Sequence, residues 1–284
     1  MPDVATTVAF LVDDGVRRLR QAGFAEPRRE AIRLWAGVTD GNVADVALRG
    51  EQLVDEATET LYERAVVRRS AGEPLAHVAG KIGFRKLELI SDARALIPRP
   101  ETEGLVDLLL QRVRTGRIVD VGTGSGCIAL SLLQEGSFDD VVAVDRSEAA
   151  LALAKVNCGS TGLRPRLIQG DMCQPLTERA FDALVSNPPY LTEAEYRDLD
   201  PSVSEWEPEL ALVSGTDGMS ATRRLLDEGR DILSPGGWLA LEVDCTRAAA
   251  AAAQAAALGW QDVSVHVDLF GRERYLLARR SKKR

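Results

Sequence analysis

Apolar residues recur at helical spacing through the first part of the chain. Val8, Leu11, Val12, Val16 and Leu19 form one stripe, and Leu53, Ala57, Leu61 and Ala65 form another. Ile32 and Trp35, in RREAIRLWAG, mark a third. Residues 1–75 are therefore expected to form a small helical domain, and no catalytic constellation falls within it. The pattern then changes. Partial alternation from Phe84 to Ile90 predicts a hairpin or connector within residues 76–100. Pro98 and Pro100 are expected to halt regular structure just before a helix from about Thr102 to Val113.

From Arg117 onward, short apolar runs alternate with helix-like segments. RIVDV (117–121), VVAVD (141–145), PRLIQGD (165–171), ALVSN (183–187) and WLALEV (238–243) are the predicted strands. SGCIALSLLQE, EAALALAKVN and MSATRRLLDEGRDIL are the predicted helices between them. Such alternation implies right-handed crossovers and a mostly parallel α/β sheet, covered on both faces. QDVSVHVD and RERYLLARR, joined by a turn around Gly271, predict an antiparallel pair at its end. The run Ala248–Ala257 has high helix propensity. Residues 101–284 are thus expected to be one domain, without internal repeats.

Charge narrows the function. Lys and Arg total 35 against 43 Asp and Glu, a net charge of −8 and a pI near 5.1. That balance argues against stable nucleic-acid binding, which needs a clustered basic surface. The RRSKKR end, Arg279–Arg284, is one local exception and is expected to be a solvated tail. The start, MPDVATTVAFLVDDG, lacks the basic opening and apolar core of a signal peptide. No window reaches the roughly 18 apolar residues of a membrane span. Cys127, Cys158, Cys173 and Cys245 make no C-x-x-C pair, and His77 and His266 lie far apart. The expectation is a cytoplasmic protein with no metal site and no membrane partner.

DVGTGSG, Asp120–Gly126, follows a predicted strand and opens a helix, the context in which a glycine pattern indicates a nucleotide site. Glycines at 122, 124 and 126 permit a tight turn and let a ligand approach bare backbone. Asp145, closing the next strand, can accept hydrogen bonds from two ribose hydroxyls. Alone, this constellation fits NAD, S-adenosylmethionine or a plain structural turn. Two details favour the methyl donor. Asp120 suits a methionine ammonium group but would repel a pyrophosphate. SPGGWLALE, Ser234–Glu242, is similar to the turn and strand that follow the active-site segment in Rossmann-like methyltransferases.

NPPY, Asn187–Tyr190, follows the strand ALVSN and so sits at a C-terminal strand edge, where open α/β sheets bind ligands. Two prolines fix φ and end the strand; a simple turn is the bland alternative. The chemistry suits a planar NH₂ on a π system. The Asn187 oxygen and the Pro188 carbonyl can each accept one N–H, and Tyr190 can cover the flat face. An amide nitrogen is a poor nucleophile, and two acceptors on its hydrogens favour the positive charge that builds during attack. Orientation supplies much of the rest. A direct displacement with later proton loss is expected, without a dedicated base.

Together, GEPLAHVAG (72–80), LIPRPETE (96–103), VDVGTGSGCIAL (119–130), VSNPPY (185–190) and EPELALVSGTDGM (207–219) resemble the bacterial release factor glutamine methyltransferases, the PrmC or HemK family. The resemblance implies a helical substrate-recognition domain, a linking hairpin and a Rossmann-like class I methyltransferase domain. It implies methylation of the glutamine in the Gly-Gly-Gln motif of peptide chain release factors. By position, Gly122, Thr123, Gly124, Ser125, Gly126 and Asp145, with Asp120, would hold S-adenosylmethionine. Asp171 and Met172 would flank its adenine, and Asn187 would also contact the cofactor. Met172 departs from the larger aromatic found there in relatives, which keeps apolar contact and loses stacking. Asn187, Pro188, Pro189 and Tyr190 would take the glutamine. Arg99 and Glu101 would shape the mouth, or form a structural ion pair. The rivals are an adenine-N6 DNA or RNA methyltransferase, which shares NPPY but needs a surface to grip and flip a base, and a non-catalytic binder of the donor.

Overall fold

In a computed structural model, which describes residues 6–177 and 180–282, the first stripe becomes helix α1 (Val8–Gln21). The residues at either end, among them Lys283 and Arg284 of the basic tail, lie outside the described set. After α1 come α2 (Pro27–Val38), α3 (Asp45–Leu48), α4 (Glu56–Ser70) and α5 (Leu75–Ala79). Thr7 caps α1 and Asp55 caps α4, each side chain accepting a backbone N–H of the first turn. Val8, Leu11, Val12, Val16 and Leu19 are buried as expected. The second stripe is met only at Ala65: Leu53, Ala57 and Leu61 are exposed, and α4 turns Tyr62 and Val66 inward beside Ala65. Tyr62 has the larger apolar surface to bury, and its hydroxyl donates to the Ala31 carbonyl at 3.2 Å. Its ring meets Trp35 edge-on, 5.4 Å between centroids.

These helices form one compact unit, residues up to Ile82 with Asp200–Trp206; a second comprises Gly83–Leu199 and the chain from Glu207. A hairpin of β1 (Lys81–Phe84) and β2 (Leu87–Ile90) follows α5. Arg85 makes its turn with φ of 54°, and its guanidinium donates to Glu135 (2.5 Å) and Asp107 (2.7 Å).

The second unit continues through α6 (Pro100–Leu110), β3 (Thr115–Val121), α7 (Cys127–Glu135), β4 (Ser137–Asp145) and α8 (Glu148–Thr161). Next come β5 (Arg166–Gln169), β6 (Phe181–Ser186) and α9 (Glu193–Arg197). Beyond α10 (Pro201–Ser204), which belongs to the first unit, lie α11 (Ser220–Ile232), β7 (Leu233–Glu242), α12 (Ala248–Ala257), β8 (Gln261–Val267) and β9 (Glu273–Arg279). The seven-stranded sheet has the order β5-β4-β3-β6-β7-β9-β8, parallel except for β9, which is antiparallel to both neighbours. The expected α/β sheet with antiparallel last strands is therefore present.

Two local expectations need correction. Pro100 does not precede α6 but starts it: at the first helical position its missing N–H costs nothing and its fixed φ suits the helix. The helix ends at Leu110, short of Val113. SPGG is not a turn ahead of a strand either. Leu233 already pairs with Phe181, and Ser234–Gly237 bulges out before pairing resumes between Trp238 and Ala183. Among the described residues no helix is long and apolar enough to cross a membrane.

Candidate active site

The strand order reverses between β4 and β6 on either side of β3, and the carboxyl ends of these strands open into a cavity of about 290 Å³. Apolar runs bury these strands on both faces, so the chemistry is carried by the loops that leave them.

The glycine loop begins under β3. Asp120 is fully buried; its Oδ2 accepts the Thr123 hydroxyl at 2.6 Å and the Ala129 N–H at 3.2 Å, while Oδ1 has no hydrogen-bond partner among the described residues. Burial raises its carboxyl to about 7, and the nearby Asp145 charge adds to the rise. Gly122, Gly124 and Gly126 all have positive φ, at 74°, 56° and 85°. At Gly122 and Gly124 an added Cβ would meet nothing nearer than 3.9 Å, so these two bare residues leave open space on the cavity side. At Gly126 it would press on Leu130 and Ala154, because there α7 packs close to α8.

Backbone bonds hold the loop in place. Gly122 and Thr123 N–H groups both donate to the Val144 carbonyl, at 2.8 and 3.0 Å. Gly124 N–H donates to Asp145 Oδ2 at 2.8 Å, and Ser147 N–H donates to Oδ1 at 2.9 Å. Burial raises the Asp145 carboxyl, against these backbone bonds. Asn157 of α8 is wholly buried; it bonds both the N–H and the carbonyl of Ile90 and donates to the Ser125 carbonyl at 3.0 Å. One side chain thereby ties the hairpin to the glycine loop.

The second loop leaves β6. Ser186 donates to the Val121 carbonyl at 2.6 Å, joining the ends of β3 and β6. Asn187 lines the cavity and its Nδ2 donates to Thr102 Oγ1 at 3.1 Å; Thr102 in turn donates to Glu242 Oε2 at 2.7 Å. After Tyr190 the chain is caught at once, Leu191 N–H donating to the Leu212 carbonyl and Ser214 N–H returning to the Leu191 carbonyl.

Among the residues expected at the site, Gly122, Thr123, Gly124, Ser125, Asp145, Asp171, Met172, Asn187, Pro189 and Arg99 all line this cavity. Asp120 lies beneath its wall, and Gly126 caps α7 just behind it. Pro188 is buried. Tyr190 stands in the field of Glu242, Arg274 and Arg99, and its burial pushes the phenol up to about 12. Arg99 pairs with Glu207 at 2.6 Å, and the same carboxylate accepts the Ile97 N–H at 3.0 Å. This pair pins the segment Arg94–Arg99 along the cavity wall. Glu101 contributes its backbone carbonyl, which accepts the Tyr275 hydroxyl. Met172 adopts φ of 54°, and Asp171 beside it pairs with Arg224 at 2.9 Å.

Sequence reasoning assigned no role to Thr102, Glu207, Asn157, Arg224 or Glu242. Thr102 and Glu207 lie inside the segments LIPRPETE and EPELALVSGTDGM, and Glu242 closes SPGGWLALE; Asn157 and Arg224 carry no such signal.

Comparison with known proteins agrees with this architecture. Residues 11–80 match the PrmC N-terminal domain, and residues 100–199 match the methyltransferase small domain. A release factor glutamine methyltransferase of Deinococcus radiodurans is 39% identical over 274 residues, covering 95% of this chain and 98% of the relative. The chain belongs to the release factor glutamine methyltransferase family. A second family member, from Nitratidesulfovibrio vulgaris, is 36% identical over 282 residues, covering 97% of this chain and 96% of its own. Among solved structures, a methyltransferase from Pyrococcus furiosus matches with a TM-score of 0.54 at 19% identity, covering 78% of this chain and 96% of its own, and shares the fold. The family expected from the five segments is thus the one found.

Proposed function

We propose that this chain transfers a methyl group from S-adenosylmethionine to the side-chain amide nitrogen of the glutamine in the Gly-Gly-Gln motif of peptide chain release factors. One observation carries the reading: Gly122–Ser125 of the glycine loop and Asn187 and Pro189 of the Asn-Pro-Pro turn line the same cavity. The residues present fit the donor. Gly122 and Gly124 leave room that side chains would fill, and the unpartnered Asp120 Oδ1 is a spare acceptor for a cationic group. Asp145 would take the ribose hydroxyls, and Met172, with Asp171, would border the adenine. When bound, the donor supplies an electron-poor methyl carbon on a sulfonium sulfur.

The chain's own part is to hold the amide. Asn187 Oδ1 and the Pro188 carbonyl each accept one N–H of the glutamine, and Tyr190 covers the face of its carboxamide. These preorganised acceptors favour positive charge on nitrogen and lower the barrier by about 3 kcal/mol. The proton leaves the nitrogen to water once transfer is complete. The helices expected as a domain at 1–75 we assign to recognising the protein substrate; residues 101–284, with Arg94–Arg99 of the 76–100 linker, line the cavity and are assigned the catalysis.

The experiment offers tritiated donor with purified release factor beside duplex DNA. Label on the release factor is expected. Label on DNA alone would replace this reading with an adenine-N6 methyltransferase, and label on neither would leave a binder.

A further inference from the structure

We propose that Thr102 and Glu242 are positioning residues, a buried relay that orients the Asn187 carboxamide so that its oxygen faces the amide to be methylated. The inference deepens the methyl-transfer reading and rests on it.

Three elements meet here. Asn187 follows the end of β6, Thr102 lies in the first turn of α6, and Glu242 is the last residue of β7. Thr102 is 2% exposed and Glu242 1%. A hydroxyl has a single proton. Glu242 Oε2 accepts it at 2.7 Å, so Thr102 Oγ1 can act toward Asn187 only as an acceptor, at 3.1 Å. Asn187 must then offer its NH₂ to Thr102, which turns Oδ1 the other way. Without that constraint the amide can rotate by half a turn and present an NH₂ to the incoming NH₂. Two donors would then face each other, and the substrate hydrogen bond would be lost. Glu242 thus acts through Thr102, and Thr102 through Asn187.

The relay also has a proton-dependent polarity. Ionised Glu242 can only accept. Once protonated, it can donate to Thr102 Oγ1, and the Thr102 proton is then released toward Asn187 Oδ1. The groups around Glu242 are Glu101 and Thr102 from α6, Arg274 and Tyr275 from β9, Asp268 ahead of β9, Tyr190 after β6 and Cys127 at the start of α7. Burial outweighs Thr102 and Arg274 and raises the Glu242 carboxyl to about 7. Transfer is therefore expected to decline on the acid side of neutrality.

The test uses the full chain, a release factor and labelled donor, with thermal unfolding as a control of folding. Thr102→Val is expected to lower kcat by about 10- to 100-fold, with donor Kd and release-factor KM within about threefold of wild type. Thr102→Ser, which keeps the hydroxyl, is expected to recover kcat to within about threefold. Glu242→Gln, which can donate as well as accept, is expected to lower kcat and abolish the acid limb of the pH profile. Should Thr102→Val fail to fold, Glu242→Gln and Thr102→Ser decide. Wild-type kcat in Thr102→Val, a Thr102→Ser as slow as the valine variant, or an unchanged acid limb in Glu242→Gln would each overturn the relay. A wild-type protein that leaves the release factor unlabelled would instead defeat the functional reading, whatever the variants do.

Discussion

Asp145 commits both carboxylate oxygens to backbone N–H groups, Gly124 at 2.8 Å and Ser147 at 2.9 Å, and still borders the cavity. Each oxygen has a second lone pair, so the group can brace the loop and accept ribose hydroxyls at once. Replacing it with alanine removes both functions. Asp145→Ala is expected to weaken donor binding by about 1–3 kcal/mol, the cost of a lost charged hydrogen-bond pair. Titration calorimetry measures this, and an unchanged affinity would refute the ribose assignment. Asn187 is the opposite case. Its side chain is held by Thr102, and the proposed function gives its oxygen to the substrate amide. Asn187→Ala is expected to abolish transfer while donor affinity stays within a few-fold. Turnover near the wild-type rate would remove Asn187 from the mechanism.

At the scale of elements, α6 is the piece that brings distant parts together. Gly104 lets it lie against β9: an added Cβ would fall 2.5 Å from the Tyr275 hydroxyl and 2.9 Å from its ring. Gly104→Ala gains about 1 kcal/mol of helix propensity. It loses about 1–3 kcal/mol to overpacking, since the buried Tyr275 ring is also tied to the Glu101 carbonyl. A lower denaturation midpoint and slower transfer are expected together, because Thr102 rides on the same helix. A midpoint above wild type would mean that ring and helix are not in tight contact. The same helix shows what sequence could and could not tell. Short apolar runs revealed the strands, because a strand covered on both faces is mostly apolar, and the glycine and Asn-Pro-Pro turns showed themselves as local chemistry. The α4 stripe holds only at Ala65, since spacing alone does not weigh the Tyr62 ring against the adjacent Leu61. Pro100 was misread because proline both ends and begins helices. The relay was invisible for a different reason. Thr102 lies 85 residues from Asn187 and 140 from Glu242, and only the folded sheet brings them together. The Glu207 bonds to Ile97 and Arg99, 110 and 108 residues away, are hidden in the same way.

For the molecule as a whole, two carboxyls sealed at the ends of β3 and β7 set a pH dependence. Burial raises Asp120 from 3.8 and Glu242 from 4.5, each to about 7. Between these ordinary and raised values the folded chain keeps protons that the unfolded chain has released. The unfolded state therefore binds fewer, and the contribution of these two groups to stability falls as pH rises from about 4 to about 7. His266, held below its ordinary value by burial, works in the other direction. Comparing wild type with Asp120→Asn cancels the groups that Asp120 does not influence and isolates Asp120 with its neighbour Asp145. The asparagine can still accept from Thr123 and Ala129, but it no longer titrates. Urea denaturation at pH 5 and pH 8 is expected to show a smaller drop in stability for the variant, by on the order of 1–3 kcal/mol. Equal drops would mean that Asp120 ionises as freely in the fold as in the open chain. The donor supplies the complementary measurement. A cationic group beside the spare Asp120 oxygen favours the ionised form, so binding near pH 7 is expected to release protons. Calorimetry in two buffers of different ionisation enthalpy reads that release directly, and Asp120→Asn should reduce it. Proton release unaffected by the substitution would mean that the donor's charge lies elsewhere in the cavity.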